Sequence, residues 1–385
     1  MTNTIIALVF INVLLGLAFV LIDARQRVQS LPPLEYYKDL LSTTYPQYSA
    51  GEVVQLLAET WSRPLACAAF THFRERPYQG KFVNVRPPGF RVIKDQAPWP
   101  PDHAAYNIFV FGGSTAFGYN VADNETIASS LQEQLRRGGW NVAVYNFGQA
   151  YYFSSLELAL FEQLLREGTL PDAAIFIDGL NESYHWDGQP IGMEICGKEM
   201  APPEGRHWEL PMVRLADVVA TRLTRASTPG TPSLDVPPPD DAKVCDGVLD
   251  RWFANRAMIE ATAAAYGVEA LFVWQPVPTY EYDLAYHPYV QRNPESFDKH
   301  LRSKYCYATM ARRLEGQKKD DDLLDLAHMQ REVHERLYVD MVHYTPKFSA
   351  QIAGAIADRL LERRRVSTRA ATGAQGGGEP GGHAP

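Results

Sequence analysis

Basic residues are in the minority: 37 Lys and Arg stand against 45 Asp and Glu, a formal net charge of −8 over 385 residues. An acidic chain offers a phosphate backbone little, so no nucleic-acid partner is expected. Cysteine is scarce as well. Cys67, Cys196, Cys245 and Cys306 show no C-x-x-C spacing, which argues against a zinc site or a thioredoxin-like motif. Their even number fits two disulfides or four plain thiols. A nucleotide loop is missing its cation: Gly113-x-x-x-x-Gly118 has the glycine spacing, but Tyr119-Asn120 stands where Lys-Ser/Thr is required. The G-x-S-x-G elbow is also absent, since Phe111-Gly-Gly-Ser-Thr does not fit it. The rest of the composition is ordinary for a packed core, with 46% hydrophobic and 21% charged residues.

Four regions follow from the patterning. Ile5–Ile22 runs 18 residues without a charge, about the shortest length that spans a bilayer. No basic residue precedes the run, and its exit, Leu-Ile-Asp-Ala-Arg, lacks the small residues of a cleavage site. We therefore expect residues 1–22 to form an uncleaved transmembrane anchor; a buried helix or a cleaved signal is the alternative. Arg25 and Arg27 follow the run and by themselves favour a cytoplasmic main domain. Residues 23–103 are rich in Pro and aromatics and read as an extension packed on the main domain. Within it, Gly51–Trp61 suggests a short helix, and Lys81–Val85 with Phe90–Ile93 a strand pair around Pro87-Pro88-Gly89.

From 104 to 366 continuous apolar runs alternate with helical spacing. Tyr106–Phe111, Val142–Tyr145, Ala173–Ile177 and Ala270–Trp274 read as strands. Between and after them lie helical patterns at Glu125–Arg137, Ser154–Arg166, Ala254–Tyr266 and from Thr345 to about Arg364. Ser154-x-x-Glu157 looks like a capping box. Strands apolar throughout and separated by helices imply a parallel sheet covered on both faces. Residues 184–249, with Pro202-Pro203 and a Pro-rich stretch, look like an insertion. Residues 279–335 look helical and polar. Their run Lys318-Lys319-Asp320-Asp321-Asp322 reads as a solvated loop or helix end. The Gly/Ala-rich tail, 367–385, is expected to be disordered.

Ligands of an open parallel sheet bind beyond the carboxyl ends of its strands. The residues there are Gly112-Gly113-Ser114-Thr115, Asn146-Phe147-Gly148-Gln149 and Asp178-Gly179-Leu180-Asn181-Glu182, with Asp340-Met341-Val342-His343 before the last helix. Ser114 suits a nucleophile or the N-cap of a tight turn. A serine nucleophile needs a base, and that base an orienting group. His343 and Asp340 can supply them; Asp325-x-x-His328 has the same spacing but falls in a segment that reads as a helix, where such a pair is merely local. Acyl transfer also needs donors for a developing oxyanion. The Ser114 N–H, the Gly148 N–H and the Asn181 amide are candidates; turn and cap roles are the alternatives for the last two.

Ser114, Gly148, Asn181 and His343, in this order, resemble the name-giving residues of the SGNH hydrolases, the GDSL-like esterases. Asp340 to His343 matches their Asp-x-x-His box, and Val339 to Pro346 is the most specific block. Phe272–Pro276 resembles the fourth strand of membrane-anchored members. The first block departs from the family, reading Gly-Gly-Ser-Thr rather than Gly-Asp-Ser-Leu, and Glu182 stands where Asp is commoner. The resemblance spans about 104–364. It implies a three-layer α/β/α, flavodoxin-like fold and serine-based ester hydrolysis with no cofactor and no metal. Ser114 would attack the acyl carbon, His343 would relay the proton and Asp340 would orient the ring. Ser114, Gly148 and Asn181 would form the oxyanion hole. The implied substrate is an acylated glycan or lipid. An O-acyltransferase of a cell-surface polysaccharide, or a non-catalytic module of envelope assembly, would use the same scaffold. Tyr184, His185 and Trp186 are candidates for a glycan platform or for packing. Cys196 and Cys245 bracket much of the insertion and can close it as a disulfide. That pairing and a surface glycan both place the domain outside the cytoplasm.

Overall fold

Successive side chains of a strand point to opposite faces of its sheet, so a strand apolar throughout must be covered on both sides. The computed structural model describes residues 2–29, 44–63, 65–190, 241–287, 300–318 and 320–375, with 211, 212, 215 and 297. It opens with helix α1 (Thr2–Gln29) and helix α2 (Ala50–Trp61). Five short strands follow: β1 (Leu65–Ala68), β2 (His72–Glu75), β3 (Tyr78–Gln79), β4 (Asn84–Arg86) and β5 (Phe90–Arg91). The alternating part contains β6 (Tyr106–Gly112), α3 (Ser114–Phe117), α4 (Ile127–Arg137), β7 (Val142–Asn146), α5 (Ser154–Arg166), β8 (Ala173–Asp178) and α6 (Leu180–Tyr184). It continues with α7 (Asp241–Tyr266), β9 (Glu269–Trp274), α8 (Ser303–Leu314), β10 (Leu323–Asp325) and α9 (Pro346–Gln375).

One eight-stranded sheet, ordered β10-β9-β8-β6-β7-β5-β4-β3, organises the chain. Strands β10 to β7 are parallel, and β5, β4 and β3 add an antiparallel edge. The extension therefore joins the main sheet, through Arg91 opposite Asn146, rather than merely packing on it. Strand alternation sorts the two cores. Phe109, Phe111, Phe176, Phe272 and Trp274 face α5 and α7; Ile108, Val110, Ile175, Ile177, Leu271 and Val273 face α4 and α9. Register places Phe111 beside Phe176 and Phe176 beside Phe272. Their rings stack with centroids 4.9 and 5.4 Å apart. Each buried ring contributes about 2 kcal/mol by leaving water.

Several expectations are corrected. Strand β10 lies in the 279–335 segment, which otherwise holds one long described helix, α8. The Asp320–Asp322 loop before it is pinned by ion pairs, Asp320 to Arg256 and Asp322 to Arg363, both at 2.7 Å. Asp325 ends β10, so the Asp325/His328 pair does not sit in a helix. Cys245 is bonded to Cys306, joining α7 to α8, and not to Cys196; Cys67 is disulfide-bonded as well. Helix α7 begins at Asp241, inside the expected insertion, most of whose residues lie outside the described ones. Helix α9 runs on to Gln375, past the expected start of the tail at Ser367.

Helix α1 covers the N-terminal apolar run. Its lone polar side chain there, Asn12, donates to the Leu8 carbonyl at 2.9 Å, one turn back. Among the described residues no helix is long and apolar enough to cross a membrane. The expected spanning run, Ile5–Ile22, includes two positions, Ile5 and Ile22, whose side chains lie outside the described residues.

Candidate active site

The strand order reverses beside β6: the chain crosses from β6 to β7 on one side and returns to β8 on the other. Such a switch point opens a crevice at the carboxyl ends of the strands. Ser114 follows β6, Gly148 follows β7 and Asn181 follows β8, so three of the expected residues meet there.

Ser114 is the first residue of the four-residue helix α3, with Gly113 before it in extended conformation. It is not an N-cap; it sits one position inside. Its N–H belongs to a first turn, where helices leave N–H groups without intrahelical acceptors. The loop before α9 brings the other two groups. His343 Nε2 lies 2.8 Å from Ser114 Oγ, and His343 Nδ1 lies 2.5 Å from Asp340 Oδ2. A carboxylate can only accept, so Nδ1 carries the proton and Nε2 is left free to accept the serine's. The Asp340 Oδ1 takes the N–H groups of Val342 at 2.9 Å and His343 at 2.7 Å. Burial pushes the Asp340 carboxyl up, but the facing His343 and these hydrogen bonds outweigh it and hold the group below the usual carboxylate range. The imidazole is flanked by the Tyr119 ring, stacked at 5.2 Å, and by the Trp61 edge at 5.9 Å.

The expected oxyanion donors differ in how free they are. Asn181 is buried, and its Nδ2 donates to the Tyr152 carbonyl at 2.7 Å. A primary amide has a second hydrogen. The same nitrogen packs so closely on Gly113 that a Cβ there would collide with it, which sets the amide beside Ser114. The Gly148 N–H, in contrast, donates to Asn146 Oδ1 at 3.0 Å. Glycine is needed at 148 because a Cβ would run into the Phe117 backbone nitrogen of α3. Thus the structure gives Gly148 a packing role and occupies its donor.

Near the end of β8 lies a feature that sequence reasoning missed. Glu157, Asp178 and Glu182 are all buried and neighbour one another. Asp178 Oδ2 accepts from Trp252 Nε1 at 3.0 Å. Glu182 Oε1 accepts the Ser154 N–H at 2.6 Å, and its other oxygen lies 3.7 Å from Arg251. Glu182 therefore caps α5, and the expected Ser154/Glu157 capping box is not formed: Phe153 is the N-cap. Neither oxygen of Glu157 nor Oδ1 of Asp178 meets a donor. Burial raises all three carboxyls, Asp178 to about 8, and repulsion from neighbouring carboxylates adds to it at Glu157 and Asp178. The sequence signal was weak: three carboxylates at 157, 178 and 182 share no period.

The rival pair is a surface feature. His328 lies 2.5 Å from Glu281 and 3.9 Å from Asp325, and is substantially exposed. His185 stacks on Phe153 at 4.9 Å and is buried, so it packs the core rather than a platform; Trp186 is exposed. Among the described residues no cluster of His, Cys, Asp and Glu could hold a metal ion.

No family model and no curated protein matches the chain. Solved structures do. A lipolytic protein of the G-D-S-L family from Desulfitobacterium hafniense aligns at 11% identity, covering 66% of this chain and 99% of its own, with a TM-score of 0.34. The acetyl xylan esterase AlAXEase aligns at 13% identity over 65% of this chain and 97% of its own, TM-score 0.33. A lipase/acylhydrolase from Enterococcus faecalis aligns at 15% identity over 67% and 96%, TM-score 0.34. At such identities and scores these likenesses bear no weight in the functional reading below.

Proposed function

We propose that the protein is a serine-dependent acyl ester hydrolase. One observation carries the reading: Ser114 Oγ, His343 and Asp340 form a continuous hydrogen-bonded chain, of 2.8 and 2.5 Å, at the mouth of the sheet. His343 takes the Ser114 proton as Oγ attacks the acyl carbon. The Asn181 amide and the Ser114 N–H receive the oxyanion. The Gly148 N–H joins them only if it leaves Asn146. His343 then returns the proton to the leaving alcohol, and water repeats the sequence on the acyl-enzyme. Neither step calls for a cofactor.

For substrate we propose an ester-linked acyl group on a glycan or lipid, and for location a domain outside the cytoplasm, tethered through α1. Ten large apolar side chains of Ile6–Leu21 are exposed, more than a soluble monomer usually leaves to water. The Cys245–Cys306 disulfide supports an oxidising compartment. Alkaline phosphatase fused after Gln26 should be active; an inactive fusion beside an active cytoplasmic reporter rejects the location.

The activity is tested with the portion from residue 28 onward and para-nitrophenyl esters of increasing acyl length, beside Ser114→Ala. Hydrolysis that the substitution reduces by about 10³-fold or more is expected. Turnover unchanged by it refutes the assignment. Acyl transfer to an added sugar in place of hydrolysis would instead mark an acyltransferase.

A further inference from the structure

Tyr119-Asn120 occupies the place where a nucleotide loop would carry Lys-Ser/Thr, and the reaction above gives Asn120 no part. Its surroundings are nevertheless highly determined. Asn120 is fully buried and holds φ at +64°, a left-handed conformation that Asn tolerates better than most residues. Three of its polar groups are engaged. Its Nδ2 donates to Asp340 Oδ2 at 2.7 Å. Its Oδ1 accepts from Trp61 Nε1 at 2.7 Å. Its carbonyl accepts from Tyr45 Oη at 2.8 Å.

The consequence lies at Asp340. One carboxylate oxygen receives two backbone N–H groups, and the other receives His343 Nδ1–H and the Asn120 amide. Four donors fill the four lone-pair sites of the carboxylate and leave it no freedom to rotate. The imidazole that it holds is fixed with it. Trp61 orients the amide and also packs edge-on against the His343 ring, so the end of α2 reaches the triad twice. A structural role for Asn120 alone would require only the turn; the amide is turned toward the acid.

We propose that Asn120 is a positioning residue for the triad, holding Asp340, and through it His343, in line with Ser114, with Trp61 of α2 fixing the amide. This rests on the ester-hydrolase reading for its catalytic consequence, but not for its effect on the imidazole. The test therefore reads both. Asn120→Gly keeps the positive φ and removes the amide. Asn120→Asp keeps the shape and sets a second carboxyl against Asp340. Trp61→Phe keeps a ring and removes the N–H, leaving the Asn120 backbone intact should the first two fail to fold. For each, kcat and KM on para-nitrophenyl acetate are measured beside an NMR titration of the His343 ring, assigned by its absence in His343→Gln. His287, near Asp340 and Arg336, is pushed down to about 4 by burial and does not confuse the titration above that pH.

Asn120→Gly should lower kcat by about 10- to 100-fold with KM within about twofold, the size expected for a misplaced catalytic group. Asn120→Asp should lower kcat and move the His343 titration to higher pH, because any negative charge that the second carboxyl adds beside Asp340 favours the imidazolium. Trp61→Phe should lower kcat less, by about three- to tenfold. Folded variants with unchanged kcat and an unmoved His343 titration overturn the proposal. If the native protein shows no turnover that depends on Ser114, the hydrolase reading fails instead. The titration then decides on Asn120 alone: a shift in Asn120→Asp, or in Trp61→Phe should that variant not fold, retains its hold on the imidazole, and no shift overturns it.

Discussion

Asp340 and Asp178 are about equally buried, with 5% and 3% of their surfaces exposed. Asp340 meets four donors and is held below the usual carboxylate range; Asp178 meets one, faces Glu157 and is raised to about 8. Depth of burial therefore does not decide the charge of a carboxyl; the donors supplied do. An ionised Asp340 can hold an imidazolium. Glu157 and Asp178, both pushed up by burial and by neighbouring carboxylates, are not arranged to do so, but they can share a proton between oxygens that otherwise have no donor.

The largest effect should come from neutralising the first carboxylate. Asp340→Asn retains the shape but lets the imidazole adopt the wrong tautomer, and kcat should fall by about 10³- to 10⁴-fold. Steady-state kinetics with a matched His343→Gln control checks this; a loss below about tenfold would make Asp340 a packing residue. The second test concerns stability. A carboxyl whose pKa is higher folded than unfolded binds more protons in the native state between the two values. Its contribution is present below the unfolded value and is lost as pH rises toward about 8, by up to about 1.4 kcal/mol per pH unit for each proton. Denaturant melts of the native protein should show stability declining from pH 5 to 9, and Asp178→Asn should flatten that slope. A slope that survives the substitution would place the protons elsewhere. The smallest effect is the mirror image. Asp340 is lower folded than unfolded, so its contribution is present above about pH 4 and is lost as pH falls below that. Acid melts of Asp340→Asn should lose less stability across that window than the native protein; an equal loss would mean that Asp340 is not ionised in the fold.

How much of this was legible follows the range of the interactions. Strands β6 to β9 are continuous apolar runs, and Ser114 and Asn181 follow β6 and β8 by a turn, so these two could be nominated from position, and Asp340 and His343 from their place before the last helix. The strand pair around Pro87-Pro88-Gly89 was readable too, but not its joining to β7, which depends on a pairing 55 residues away, Arg91 with Asn146. Strand β10 escaped notice because three residues after a charged run give no periodicity. Cysteine pairing cannot be read from spacing, and Cys245 found Cys306 across 61 residues. Asn120 was passed over for the same reason: its partners, Trp61 and Asp340, lie 59 and 220 residues away. The occupied Gly148 N–H and the buried Glu157–Asp178 contact likewise depend on local packing that no motif encodes.

The central claim is that Ser114 is a nucleophile activated by His343. Treatment of the native protein with diethyl para-nitrophenyl phosphate, followed by intact-mass and peptide analysis, tests it without knowledge of the substrate. The account predicts one diethylphosphoryl group per chain, on Ser114, absent from Ser114→Ala and strongly slowed in His343→Gln. Unmodified Ser114 in a folded protein, or equal labelling of the Ser114→Ala chain, would contradict it.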